Sequence, residues 1–135
     1  MSVKLIRSPQ LAPTAPYAYA AVAHGLVFTA GACPLDADGV VVSPGDLVAQ
    51  THQVMRNLVT ALRAAGADLH DVAKSTVYVA SSTRADLVTV WEIVHSYFGD
   101  HDAPSTLLGV AVLGYENQLV EVEAIALLPE ESPLP

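Results

Sequence analysis

Two carboxylates, Glu121 and Glu123, stand two residues apart in the run Leu119-Val120-Glu121-Val122-Glu123-Ala124-Ile125-Ala126, which is otherwise apolar. In an extended strand residues two apart share a side, about 6.5 to 7 Å from each other. Val120, Val122 and Ala124 then take the opposite side, where helices should cover them. A carboxylate pair in such surroundings can do acid/base chemistry. It can equally be a solvated pair or half of an interface ion pair. Ser105, in Ala103-Pro104-Ser105-Thr106, is either a donor to a small ligand or the hydroxyl that opens a strand. No Gly-x-Ser-x-Gly elbow surrounds it, which argues against a serine hydrolase.

Other groups offer less. The one cysteine, Cys33, cannot form an internal disulfide, and it reads as a buried small hydrophobe rather than a nucleophile. His24, His52, His70, His95 and His101 give neither His-Glu-x-x-His nor His-x-x-x-His spacing, and no Cys/His cluster suggests zinc. Dinucleotide and P-loop glycine motifs are absent. The sharpest feature is negative: no Lys or Arg follows Arg84, so the last 51 residues supply no fixed cation to the Glu pair.

The elements that must position these residues are legible. A helix is predicted from about Asp46 to Ala65, with Ser43-Pro44 as its capping start and Gly66 as its stop. Leu47, Thr51, Val54, Met55, Leu58, Leu62 and Ala65 form its buried stripe. A second helix is predicted from about Arg84 to Phe98. It has Thr83 and Asp86 in a capping-box arrangement, a stripe of Leu87, Val90, Trp91, Val94 and Phe98, and Gly99 at its end. Strands are expected at Val3 to Arg7, Ala18 to Ala23, Leu26 to Gly31, Asp71 to Ala80, Thr106 to Leu113 and Leu119 to Leu128. His24-Gly25 should turn one hairpin and Gly114-Tyr115-Glu116-Asn117 another. The order implies an α+β domain spanning 1–135, one mixed sheet with two helices on one face. The tail, 129–135, is expected to be flexible.

Composition bounds the function. Hydrophobic residues make up 52% and charged residues 15% of the 135, against a usual charged share of about 25%. So few charges cannot cover a small monomer, and the surplus apolar surface points to a homo-oligomer. The longest weakly polar run, Tyr17 to Cys33, is broken by His24-Gly25 and Thr29 and falls short of the roughly 18 to 20 residues of a spanning helix. No signal-peptide order follows Lys4 and Arg7, so the expectation is a cytoplasmic protein without membrane contact. A net charge of −8 disfavours nucleic acid as a partner.

Several stretches together resemble the RidA/YjgF family. They are Ala15-Pro16-Tyr17, Leu26-Val27-Phe28-Thr29-Ala30-Gly31 with Pro34-Leu35-Asp36, Gln50-Thr51 with Asn57-Leu58, Asp71 through Val79, and Leu119 through Ala126. The resemblance implies a chorismate-mutase-like fold, a homotrimer with a barrel-like centre, and three ligand clefts between subunits. It also implies hydrolysis of enamines and imines of 2-keto acids without metal or organic cofactor. The family's glutamate falls on Glu121, its cleft tyrosine on Tyr17 and its strand glycine on Gly31. A helix position that is often asparagine falls on Trp91, and a loop one residue longer than usual carries Tyr115.

The arginine that binds the substrate carboxylate in the family falls on Ser105. Replacing a planar, permanently charged fork by a hydroxyl removes one of the stronger polar contacts available to a carboxylate. The guest to expect is therefore neutral or cationic, with Trp91, Tyr17 and Tyr115 as flat walls; Trp91 may also be read simply as helix core. Two functions are expected from this point. One is a deaminase-like hydrolase of a neutral enamine or imine, with Glu121 activating water and Ser105 as donor. The other is a trimeric module that binds or senses a small ligand without turning it over. A ribonuclease, sometimes attached to the family, is disfavoured by the charge.

Overall fold

The first helix begins where Asp46 turns its carboxylate onto the Ala49 N–H, 2.9 Å away. The computed structural model describes residues 2–129 of the chain; the tail expected to be flexible lies outside them from residue 130 on. Helix α1 is Leu47–Ala64 and helix α2 is Arg84–Phe98. The cap of α1 is Asp46 and not Ser43, which sits at φ 43° in the turn before it. An extended residue immediately ahead of the first helical turn is better placed to reach its orphan N–H groups. Thr83 caps α2 by position only. Its side chain makes no capping bond, and Ser81 takes both sides of the reciprocal bond, its hydroxyl donating to Asp86 at 2.7 Å and accepting from the Thr83 N–H at 3.0 Å. The predicted capping box is thus absent there.

Six strands make one mixed sheet: β1 Lys4–Ile6, β2 Ala20–Ala23, β3 Leu26–Thr29, β4 Val72–Val79, β5 Ser105–Gly109 and β6 Val120–Leu127. The sheet order is β1-β2-β3-β6-β4-β5. His24 and Gly25, both at positive φ (52° and 75°), turn the β2–β3 hairpin as expected. The second predicted hairpin does not form. β5 stops at Gly109 and pairs in parallel with β4, while β6 runs antiparallel between β3 and β4. The reason is α2: a strand, a covering helix and a return strand make a crossover that lays β5 beside β4 in the same direction. Residues 110–119 then carry the chain across to the sheet centre.

Alternation divides the sheet cleanly. Val27, Val77, Val79, Val120, Val122, Ala124 and Ala126 face the helices with Val54, Met55, Leu58, Leu62, Val90 and Val94, all at or near zero exposure. Trp91 and Phe98 flank this core half-buried. The other face has no helix over it and is apolar for much of its extent. Phe28 stands opposite Ile125, and Leu26 opposite Leu127. Phe28 is 42% exposed and Leu127 55%. Among the described residues no helix is long and apolar enough to cross a membrane.

Candidate functional site

The two carboxylates of β6 share the uncovered face, as alternation requires, but their surroundings separate them. In the register Glu123 stands opposite Thr76 and Glu121 opposite Tyr78. The Tyr78 hydroxyl donates to Glu123. That bond, then burial, then the negative field of both carboxylates push the Tyr78 hydroxyl up to about 12. Glu123 is therefore committed to a neighbouring strand.

Glu121 is held differently. Its Oε1 accepts from Gln118 Nε2 at 3.1 Å and from the Cys33 thiol at 3.3 Å. Its Oε2 lies over Gly31, so close that a Cβ at position 31 would be 2.2 Å from it. Glycine is required here for space, since β6 and the segment after β3 are drawn together by a bridge between Ala32 and Val122. Beyond Cys33, the hydroxyls of Tyr17 and Tyr115 meet at 2.9 Å. Burial raises the pKa of Tyr17, and its bond to Tyr115 and the nearby Cys33 raise it further.

Cys33 is buried, as expected of a small hydrophobe, and its sulfur has acquired a polar task. Burial first, then the charge and hydrogen bond of Glu121, push its thiol from 9.0 up to about 12. Because the thiolate is the reactive species, alkylation of native Cys33 below pH 9 is expected to run about a thousandfold slower than in the unfolded chain. Slow iodoacetamide kinetics that accelerate in urea would bear this out; equal rates in both states would contradict it.

The remaining two site candidates lie elsewhere. Ser105 opens β5 in parallel register with Ser75, whose hydroxyl donates to it at 2.8 Å. Ser75 is buried on the helix side and aligns with Ala124 of β6, so Ser105 faces away from Glu121. Trp91 stacks on His95 with ring centres 5.8 Å apart. Together with Ser75, Phe98, His101 and Asp102 they line a pocket of about 230 Å³. One chain thus gathers Tyr17, Gly31, Tyr115 and Glu121 into one group and leaves Ser105 and Trp91 on the other face of the sheet. The closed cavity between Tyr17, Gly31, Cys33 and Asn57 holds about 60 Å³, well short of the roughly 300 Å³ of small-molecule sites.

Among the described residues no cation pairs with Glu121 or Glu123 or hydrogen-bonds to Ser105, although two lie near by. Arg7 donates to the Tyr17 carbonyl at 3.1 Å, and Lys74 to Thr106 at 2.6 Å. The three ion pairs of the described residues involve neither Glu121 nor Glu123. Among the same residues, no three His, Cys, Asp or Glu side chains converge in a way that could hold a metal. The donors that sequence reasoning missed are Gln118, Cys33 and Tyr78. Only Gln118 left a trace, as an amide directly at the head of an apolar strand.

Comparison with known proteins fits this arrangement. The sequence profile of the Endoribonuclease L-PSP family matches residues 8–128. A RutC family protein of Synechocystis sp. is 35% identical over 132 residues, covering 96% of this chain and 99% of its own. The 2-iminobutanoate/2-iminopropanoate deaminase of Mus musculus is 33% identical over 127 residues, covering 93% and 92%. The crystal structure of the YjgF gene product from E. coli superposes with a TM-score of 0.79 at 29% identity, covering 92% of this chain and 98% of that one.

Proposed function

The chain belongs to the Endoribonuclease L-PSP family, the group of the RidA and YjgF proteins, and from that premise we propose that it is a cofactor-independent hydrolase of neutral enamines or imines. It acts as a homotrimer with its clefts between subunits. One observation carries the chemistry: a carboxylate with one oxygen tied down and the other lying over a glycine, and with no ion pair among the described residues. Glu121 takes a proton from water as the water oxygen adds to the C=N carbon. That proton passes to the nitrogen to give the carbinolamine; Glu121 then takes the hydroxyl proton and delivers it to the amine as the C–N bond breaks, so ammonia leaves and the C=O forms, an enamine having first been protonated at carbon to the imine. The balance is one imine and one water in, one carbonyl compound and one ammonia out.

The same geometry supports the homotrimer. The uncovered face with Phe28, Ile125 and Leu127 needs burial, and the group around Glu121 meets Ser105 and Trp91 only if a second chain brings them. The mouse relative's name supports a C–N substrate. Ser105 in place of a guanidinium supports a neutral or cationic one. A single unpaired thiol suits a reducing compartment such as the cytoplasm.

The test couples light scattering to an ammonia assay. A trimer that releases ammonia from a neutral imine, and little from a 2-imino acid, is the expected result. Brisk turnover of 2-imino acids by the native chain would remove the case for a neutral guest. A second reading, a binding module, is favoured by the engagement of Ser105 with Ser75. A ligand that raises the melting temperature without ammonia release would select it.

A further inference from the structure

We propose that Gln118 is the positioning residue for Glu121 and that Oε2 is the oxygen that carries the reaction's proton. The inference rests on reading Glu121 as the reacting carboxylate. Gln118 is 4% exposed, and all of its amide is used. Its Oε1 accepts from the Tyr115 N–H at 3.1 Å. Its Nε2 donates to the Val120 carbonyl at 3.0 Å and to Glu121 Oε1 at 3.1 Å. The opposite amide orientation would set oxygen against two acceptors and nitrogen against a donor, so the network fixes the rotamer. Cys33 has one proton and two acceptors, Gly31 O and Glu121 Oε1, both at 3.3 Å.

Oε1 thus meets two donors, and Oε2 meets none within the chain among the described residues. Hydrogen bonds to a carboxylate oxygen lower its basicity, so a proton taken from water goes to Oε2. The scaffold behind Gln118 is firm. Gln50, fully buried in α1, donates to Asn117 O at 3.0 Å and accepts from Leu119 N at 2.9 Å. One glutamine amide clamps the loop on either side of Gln118, and Gln118 transmits that order to the carboxylate. The same loop carries Tyr115 to its contact with Tyr17. Gln118 therefore sets the carboxylate and the aromatic wall together.

Two substitutions test this. Gln118→Met keeps length and removes all three polar contacts. Its kcat on a neutral imine is expected to fall on the order of a hundredfold, with KM held. Gln118→Glu keeps the acceptor for Tyr115 N–H and puts a carboxyl against Glu121 Oε1. Two carboxyls in contact share a proton. This variant should be nearly inactive at neutral pH and regain activity as the pH falls and the shared proton returns.

The titratable groups around the pair are Cys33 from the segment after β3, Tyr78 from β4 and Glu123 on β6, with Tyr17, Tyr115 and Tyr19 beyond. The nearest cation is Arg7, which is spent on the Tyr17 carbonyl and pairs with neither carboxylate. Carboxyl ¹³C resonances give a readout that needs no substrate. The shared proton of Gln118→Glu should appear well above the usual carboxylate range and vanish in the double variant Gln118→Glu/Glu121→Gln. An introduced carboxyl that titrates alike with and without Glu121, or unchanged kcat and pH profile in both variants, overturns the proposal. Coupled titration with no turnover of any imine upholds the positioning and overturns the hydrolase reading instead.

Discussion

Glu121→Gln is expected to lower kcat for C–N hydrolysis by roughly 10²- to 10⁴-fold, the usual worth of a general base, with little change in KM. The substitution is close to isosteric. The new amide oxygen can still accept from Gln118 Nε2 and the Cys33 thiol, the two donors that hold Oε1 now. The new NH₂ takes the place of Oε2 over Gly31. The fold contact survives and only the proton acceptor is lost. The melting temperature should therefore stay near that of the native chain, which separates a catalytic loss from a structural one. Glu123→Gln is the control. Its partner is the Tyr78 hydroxyl, so turnover should persist. The same Glu121→Gln change removes the charge that helps push the Cys33 thiol up to about 12. The onset of alkylation should then move to lower pH. Native turnover by Glu121→Gln would end the case for this carboxylate.

The second large effect is a gain. Ser105→Arg is expected to raise kcat/KM for 2-imino acids by about 30-fold or more, with no such gain on neutral imines. A desolvated charge pair is worth about 2 to 5 kcal/mol, and the lower end of that range already corresponds to such a factor. The position can accept the side chain. β5 is the edge strand of the sheet, Ser105 is its first residue, and its present hydroxyl has only Ser75 as partner. In the proposed trimer this edge is where a second subunit's Glu121 group would be met. Measured side by side, the variant should gain over the native chain on the anionic substrate. Equal activity of both on 2-imino acids would mean that the charge at position 105 does not select the guest.

Much of the fold was legible from periodicity. The stripes of α1 and α2 are the buried faces, and the alternation along β6 sets Glu121 and Glu123 on one side, away from the helices. What failed was pairing. Residues 114–117 have hairpin chemistry, yet they bridge two strands with β4 between them, because the α2 crossover had already claimed the place beside β4. Turn residues report a local bend and carry no information about which strand lies beyond it. The site divides the same way. Residue types and alternation find the carboxylates. They cannot say which one is free, because that depends on Tyr78, 45 residues from Glu123, and on Cys33, 88 residues from Glu121. Such contacts have no period to read.

The place of β6 has a consequence for how the molecule comes into being. It is the last strand of the described residues, and it lies at the centre of the sheet, paired with β3 on one side and β4 on the other. Without it β1-β2-β3 and β4-β5 are two separate ribbons with no strand to join them. Completion of the sheet therefore waits on long-range pairing, which is slow and leaves exposed edges open to wrong partners. Glu121 comes into position with that strand, so a chain cut short before residue 120 has neither a continuous sheet nor this carboxylate.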